Sequence, residues 1–346
     1  MRIIITIQHA GHVHFFKHAI DELQADGHEV HVFARDNEMS VELLERCGIE
    51  YELLAGDSKS LLSLATNQCL YEGRLLQRAR QIDPHVMTAV GGVAISHVAS
   101  VVDARSVVFY DTEHATIICR LAYPFADVVC TPECYSWDVG DKQVRYPGYH
   151  ELAYLHPDRF TPDEEVLREL DLAPDDPLVV VRFGDWGSSH DVGESGFADS
   201  REVVDRIDET GAEVVVTAEG DVDADLDPYL ASIDPEQLHD LLWFADLYVG
   251  EGATTAAECA MLGTPAIYVN SLSLGYLSEL ESEYGLVFNY TGEQRHTRAL
   301  ERGMSILEND DVDWQRRRES MLEEKRDTTD FILEQLRTNA PSLVKV

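Results

Sequence analysis

Lysine is scarce. Five occur in 346 residues, Lys17, Lys59, Lys142, Lys325 and Lys345, and with the arginines they make 27 basic residues against 64 acidic ones. The formal charge is -37. No basic stripe is visible, so the phosphate contacts that nucleic-acid binding depends on are missing and nucleic acid is excluded as a partner. The acidic residues are spread along the chain rather than gathered in a terminal arm. A diffuse acidic coat with little lysine reads as adaptation to a high-salt cytoplasm, that is, as halophilic: the Debye length is about 3 Å at 1 M salt, so self-repulsion is screened there. Cysteine is sparse too. The six cysteines form no CxxC pair, and Cys130 and Cys134 have no matching second pair. That speaks against a disulfide or zinc framework and for buried free thiols in a reducing compartment. There is no run of about 18 apolar residues, hence no transmembrane helix. Ile3-Ile4-Ile5 opens the chain like a strand, with no basic stretch and long apolar run after it, so no signal peptide is expected and the location is cytoplasmic. Internal repeats and low-complexity tracts are absent.

The apolar fraction, 45%, is that of a folded protein, and the length predicts two domains. Strand and helix signals alternate strictly through the first half, from the strand Arg2–Ile7 to the strand Asp127–Thr131. Alternation with apolar strands predicts a parallel sheet covered by helices on both faces, binding ligand at the carboxyl ends of its strands. The loops to watch are therefore Gln8–His14, Arg35–Ser40, Gly91–Val93 and Asp111–His114. Between Tyr146 and Pro162 the pattern breaks at Pro147-Gly148, His156-Pro157 and Thr161-Pro162, which reads as a linker. The alternation then restarts and ends in helices over Glu293–Leu307 and Val312–Leu336. The expected domains are residues 1–150 and 163–346, both doubly wound. Periodicity leaves open whether the last helix packs back on the N-terminal domain.

The segment from Asp246 to Ile267 carries the most chemistry. A strand feeds Gly250-Glu251-Gly252-Ala253-Thr254-Thr255 and then a helix. The first-turn N–H groups and positive dipole end of such a helix form an anion site, with Gly250 and Gly252 letting backbone approach a diphosphate. Thr254 and Thr255 add hydroxyl donors. Glu258 stands one turn further, where a carboxylate can accept from both hydroxyls of a ribose. The structural alternative is a capping box, Thr255-x-x-Glu258, which explains both residues as helix starters. In the loop after the strand Leu178–Phe183, Arg182 can neutralise a diphosphate bidentately and Trp186 can stack on a base, with Ser189, His190 and Asp191 nearby. Ser-His-Asp at consecutive positions is no triad, because adjacent residues point apart. His9-x-x-His12-x-His14 offers no acidic or cysteine ligand in register, so no metal is expected. His12, in the first strand-to-helix loop, suits an acid/base role, its unperturbed pKa being near neutrality. Asp111 and Glu113 follow a strand where a catalytic loop belongs, although as helix cap and dipole partner they need no function. Arg316-Arg317-Arg318 reads first as a solvated helix face, with peripheral membrane contact as the alternative.

The Gly250–Ile267 segment resembles the donor-nucleotide region of UDP-N-acetylglucosamine 2-epimerases and MurG-type glycosyltransferases. Glu258 matches their ribose-binding glutamate and Leu262-Gly263-Thr264-Pro265 their Leu-Gly-x-Pro, while Ala253 stands where a second glycine is common. A wider resemblance spans almost the whole chain. It rests on His12-Val13-His14-Phe15-Phe16, Gly27-His28-Glu29-Val30, Ala34-Arg35-Asp36, Asp111-Thr112-Glu113-His114, Arg182-Phe183 with Trp186, Ser189-His190-Asp191-x-Gly193 and Gly250-Glu251-Gly252-Ala253-Thr254. These recur together in a mostly archaeal domain-of-unknown-function family related to those epimerases. The resemblance implies the GT-B fold, two doubly wound Rossmann-like domains facing a cleft. It aligns Glu113 with an acid/base carboxylate of the epimerases, while Asp111 replaces the histidine that leads their segment.

The expected protein is a glycosyltransferase-like enzyme with a nucleotide-sugar donor, UDP-linked. Arg182, Trp186, His190, Gly250, Gly252, Thr254, Thr255 and Glu258 are its donor residues, and His12, Asp111 and Glu113 its catalytic candidates. It needs no metal and no cofactor, since helix dipole and basic side chains stabilise a leaving diphosphate. The acceptor class implied by family context is a glycan or glycolipid. A nucleotide-sugar 2-epimerase and a non-catalytic binder share the same fold and site. Oligomeric state is open, a homodimer included.

Overall fold

Arg2–Ile7 reads RIIITI, and Ile3, Ile4, Ile5 and Ile7 are all fully buried, so this strand is covered on both faces, as the run of β-branched residues requires. In the computed structural model, which describes residues 1–35, 38–56, 61–184, 197, 200–218, 224–231, 233–308 and 311–340, it is an inner strand of a seven-stranded sheet. The strands are β1 (Arg2–Ile7), β2 (Glu29–Arg35), β3 (Tyr51–Ala55), β4 (Val86–Val90), β5 (Arg105–Phe109), β6 (Val128–Pro132) and β7 (Gln143–Tyr146), in the order β3-β2-β1-β4-β5-β6-β7 and all parallel. A second sheet holds β8 (Leu178–Phe183), β9 (Glu213–Ala218), β10 (Leu247–Gly250), β11 (Ala266–Val269) and β12 (Val287–Tyr290), in the order β12-β11-β10-β8-β9, again all parallel.

The chain forms two compact units. One comprises Met1–Arg159 with the segment from Arg326 onward, the other Phe160–Lys325. In the first, strand order reverses between β1 and β4; in the second, between β8 and β10. Loops leaving the carboxyl ends of those strands diverge to opposite faces and open a crevice, so the ligand-binding edge of each unit follows from its topology.

One close approach in the first unit requires glycine. Gly92 has φ 66° and begins the helix Val93–Ala99, and a Cβ there would stand 2.5 Å from Val108 Cγ2 of β5.

Three sequence expectations change. Val312–Leu336 is not one helix but two, Trp314–Glu324 and Thr328–Asn339. The break has a reason: Asp327 caps the second helix, accepting from Thr329 N at 2.7 Å, and Arg326 N donates to Pro147 O at 2.9 Å. The stretch read as a linker from Tyr146 opens inside the fold, since Tyr146 ends a parallel strand and Tyr149, Leu152, Ala153 and Leu155 are buried. The helix expected from Glu113 begins only at Thr116, with Ala115 before it and no side-chain cap, so neither Asp111 nor Thr112 caps it. None of the six cysteines forms a disulfide; Cys119, Cys130 and Cys259 are buried and Cys69 is exposed. Among the described residues no helix is long and apolar enough to cross a membrane.

The C-terminal helix is fastened to the first unit by polar contacts. Thr328 Oγ1 donates to Tyr149 O at 2.6 Å and Thr329 Oγ1 to Ala153 O at 2.7 Å. Arg159 pairs with Asp327 at 2.7 Å, with Asp330 at 2.9 Å and with Glu22. Asp327→Ala removes a helix cap and one partner of a mostly buried arginine, and is expected to lower stability by about 2–3 kcal/mol. Urea unfolding of wild type and variant at fixed salt measures this.

Candidate functional site

In the second unit the site is built at the β8/β10 reversal. Gly250 ends β10 beside Arg182 of β8. A Cβ at Gly250 would collide with the hydroxyl of Tyr248 and approach Arg182 O to 3.0 Å, so only glycine fits. Tyr248 is wholly buried, and its hydroxyl lies at this turn without a hydrogen-bond partner. Burial raises its pKa, so it is a neutral O–H donor.

The helix Ala253–Leu262 starts directly after Gly252, with no side-chain cap. The capping box Thr255-x-x-Glu258 is therefore not formed. Thr255 is the third residue of the helix and buried, Thr254 is exposed, and Glu258 belongs to the second turn. The first-turn amides are left to an external acceptor. Glu258, expected at a ribose, is buried and its Oε1 lies 3.0 Å from Nε2 of buried His239. Arg182 is half-buried and its guanidinium is 3.4 Å from Thr217 Oγ1. Trp186 and His190 lie outside the described residues, as do Ser189, Asp191 and Gly193.

Sequence reasoning passed over Glu251. Its buried carboxylate accepts from the Gly184 amide at 2.9 Å and from the Phe197 amide, while its carbonyl accepts from Asn270 Nδ2 at 3.1 Å. One residue thus joins β10, the end of β8 and the end of β11. The signal was present: an acidic residue between two glycines, directly after an apolar strand, must either be solvated or serve as an acceptor for backbone amides.

In the first unit His9 precedes the helix Ala10–Ala25 and accepts from Gly11 N at 3.2 Å. His12 Nδ1 accepts from Gln8 N at 3.4 Å. His14 is turned into the core, stacked on Tyr154 with ring centres 5.1 Å apart. The three histidines thus serve three different surroundings. Burial, and then the nearby His9 and His150, press the His12 pKa down to about 3, so its imidazole is neutral.

Beyond β5, Asp111 Oδ1 accepts from Thr112 Oγ1 at 2.7 Å, and its Oδ2 lies 3.2 Å from Nδ1 of His150. Glu113 Oε1 accepts from the Ser136 amide at 3.0 Å, which fastens the loop after β6. His150 escaped the sequence reading because it sits in the Pro/Gly-punctuated stretch after β7 and is 39 positions from its partner. Its ring packs on Phe15 with centres 4.5 Å apart, and its Nε2 is buried with no hydrogen-bond partner. Burial lowers its pKa, against the pull of Asp111. The structure thus brings Asp111, His12 and His150 together, and gives Glu113 a separate duty.

A family model described as "Protein of unknown function (DUF354)" matches residues 1–275. An uncharacterized protein of Methanocaldococcus jannaschii is 24% identical over 276 residues, which is 76% of this chain and 80% of that one. Among solved structures, the UDP-GlcNAc 2-epimerase from Neisseria meningitidis bound to UDP-GlcNAc is similar with a TM-score of 0.69 at 12% identity, covering 98% of this chain and 100% of that one. The spinosyn rhamnosyltransferase SpnG complexed with spinosyn aglycone is similar with a TM-score of 0.65 at 13% identity, covering 97% and 100%. What is shared at such identities is the fold, the GT-B type with two Rossmann-like sheets, common to epimerases and glycosyltransferases.

The neutral His12 has a pH signature. The unfolded chain takes up this proton near 6.5, whereas folded His12 does so only near 3, so between those values the unfolded state binds more protons. The neutral site is therefore no handicap above 6.5, and stability is lost as pH falls toward 3, at up to about 1.4 kcal/mol per pH unit. Melting temperatures of wild type and His12→Gln between those limits should converge as the pH falls if the replacement costs stability at neutral pH, because the variant lacks this proton uptake.

Proposed function

The chain belongs to the DUF354 family, and from the geometry of its second unit we propose that it is a glycosyltransferase-like enzyme with a nucleotide-sugar donor, UDP-linked. The observation that carries this reading is the turn Gly250-Glu251-Gly252 entering an uncapped helix, with a buried, unpartnered tyrosine hydroxyl beside it. First-turn amides at the positive end of a helix dipole are matched to a diphosphate. Arg182 and the Thr254 hydroxyl add a cation and a donor at the same strand ends. Glu258, oriented by His239, is the ribose acceptor in this reading, with Thr255 beside it on the helix. Trp186 and His190 remain donor candidates on sequence grounds. His12 and Asp111, in the first unit, remain acid/base candidates on sequence grounds, and Glu113 is bonded to the Ser136 amide as a support for its loop. The acceptor is a hydroxyl of a glycan or glycolipid.

No metal is needed in this scheme, because the helix end and Arg182 offset the charge of the departing diphosphate. The epimerase reading shares the donor site and draws on the Asp111–Glu113 segment. It differs in product: an epimerase converts UDP-GlcNAc without any acceptor and without releasing UDP.

The test is a thermal-shift screen of UDP and UDP-GlcNAc in about 2 M KCl, where the acidic coat is screened. At one hundred times Kd a ligand adds about 2.7 kcal/mol of stability. Wild type should shift. Gly250→Ala should lose the effect, because its Cβ drives Tyr248 into the turn, and Glu258→Gln, which can still bond His239, should weaken it about tenfold, roughly 1.4 kcal/mol. A wild-type protein that no nucleotide stabilises overturns the reading.

A further inference from the structure

The chain places 64 acidic residues among 346, yet two stretches carry none, Pro84–Val102 and His114–Ala126. Both belong to the first unit, and their helices pack side by side. We propose that the surface they form is a homodimer interface, covered by a second copy of this chain. This goes beyond the donor-site reading and does not depend on it.

The surface is apolar by construction. Ile117 and Leu121 are four residues apart in the helix Thr116–Ala122, and Phe125 follows after four more. Phe125 N and Ala126 N donate to Ala122 O at 3.1 and 3.0 Å, so the chain keeps turning beyond the helix. That spacing sets the three side chains in one stripe. They are 73%, 47% and 51% exposed. The helix Val93–Ala99 widens the stripe: the His97 ring meets Phe125 edge-on with centres 4.8 Å apart, and its Nε2 lies 3.0 Å from Leu121 O. Val101, four residues after His97 on a turn closed by Val98 O, is 61% exposed. A hollow of about 390 Å³ adjoins the stripe, with Arg120, Tyr123, Pro124 and Trp137 in its lining.

Exposed apolar side chains standing singly are ordinary, whereas a contiguous group calls for a cover. Charge decides which cover. No exposed residue of either stretch is acidic, so a basic partner finds no carboxylate to pair with. The charges at the margin are engaged. Glu72 lies 3.1 Å from His97 Nδ1, Asp127 pairs with Arg105 at 2.7 Å, and Lys142 donates to Tyr123 O at 2.8 Å and to Ala126 O at 2.9 Å. An anionic lipid surface is repelled by the formal charge of -37, against which the two stretches set one arginine, Arg120, and no lysine. A second copy brings the same uncharged face. Two strongly acidic molecules then meet without like charges opposite each other and without burying an unpaired charge. The repulsion left between their acidic coats is screened in concentrated salt. A two-fold axis makes the contact self-complementary, with Leu121 at the middle of the stripe nearest the axis and Phe125 of each copy facing the hollow of the other.

The experiment is sedimentation velocity of the full chain in about 2 M and about 0.2 M KCl, with Leu121→Glu, Leu121→Arg and Phe125→Ala beside wild type. Wild type should sediment as a dimer at the higher salt, with a dissociation constant about tenfold larger at the lower, where the coats repel. Leu121 is half exposed, so both of its variants keep the core intact; each should raise the constant by roughly a hundredfold, and Phe125→Ala by about tenfold. An equal mixture of Leu121→Glu and Leu121→Arg should dimerise again, because opposite charges then meet at the axis. A wild type that is monomeric at both salts overturns the proposal, as does a dimer that neither Leu121 variant weakens, or a mixture of the two that stays monomeric. A monomeric wild type that co-sediments with phosphatidylglycerol vesicles overturns it in favour of a lipid surface. The donor-site reading is untouched by any of these results, since it rests on the second unit alone.

Discussion

The turn from Pro147 to Ala153 is held in place by the last helix of the chain, and the polar cluster of the first unit depends on it. Arg326 donates to Pro147 O, Thr328 to Tyr149 O and Thr329 to Ala153 O. These bonds fix the backbone on both sides of His150, which otherwise follows a Pro-Gly pair able to take several paths. Arg159 adds charge to the clasp by joining Glu22, Asp327 and Asp330. The side chain of Asp327 is nearly buried, so its pairing counts for more than the surface ion pairs that an acidic chain forms readily at low worth. A segment more than 170 residues away in sequence thus sets where an imidazole stands.

The second unit solves a similar problem with a single residue. Glu251 gathers the ends of β8, β10 and β11 by accepting backbone amides and offering its own carbonyl. Carboxylates that accept several amides are strongly held, and burying one leaves no room for a substitute without that capacity. The neighbouring helix end is kept free of side-chain caps, and Gly250 keeps room for Tyr248. Amides and hydroxyl are thereby aimed at one place while the carboxylate is turned away into structure. In a protein carrying a formal charge of -37, an anion site built from backbone amides rather than a cluster of lysines is consistent with the scarcity of lysine.

Much of this was legible. The alternation of apolar strands with amphipathic helices implied two parallel sheets, and the Gly250–Thr254 turn was visible as a strand-to-helix glycine turn. The histidines after β1 and the acidic residues after β5 were placed at strand ends by the same pattern. Less legible were the roles. Thr255 and Glu258 have the spacing of a capping box, yet the helix starts three residues earlier, with Gly252 rather than Thr255 before its first turn, and that choice is made by where β10 ends against β8. Glu113 sits close to Asp111 in sequence, but one carboxylate meets a loop amide and the other an imidazole. Asp111 and His150 share no local signal at all.

The difference has a physical origin. Periodicity, glycine turns and charge balance are local properties of the chain, so length, charge and pattern by themselves determined the class of fold, the number of sheets and the strand ends at which chemistry could gather. Partnership between distant side chains depends on strand order and on how helices pack, and a buried polar group is satisfied by whatever those arrangements bring within about 3 Å. That is why only the tertiary structure decided that His150 belongs with Asp111, Glu258 with His239, and the helix Thr328–Asn339 with the turn after β7.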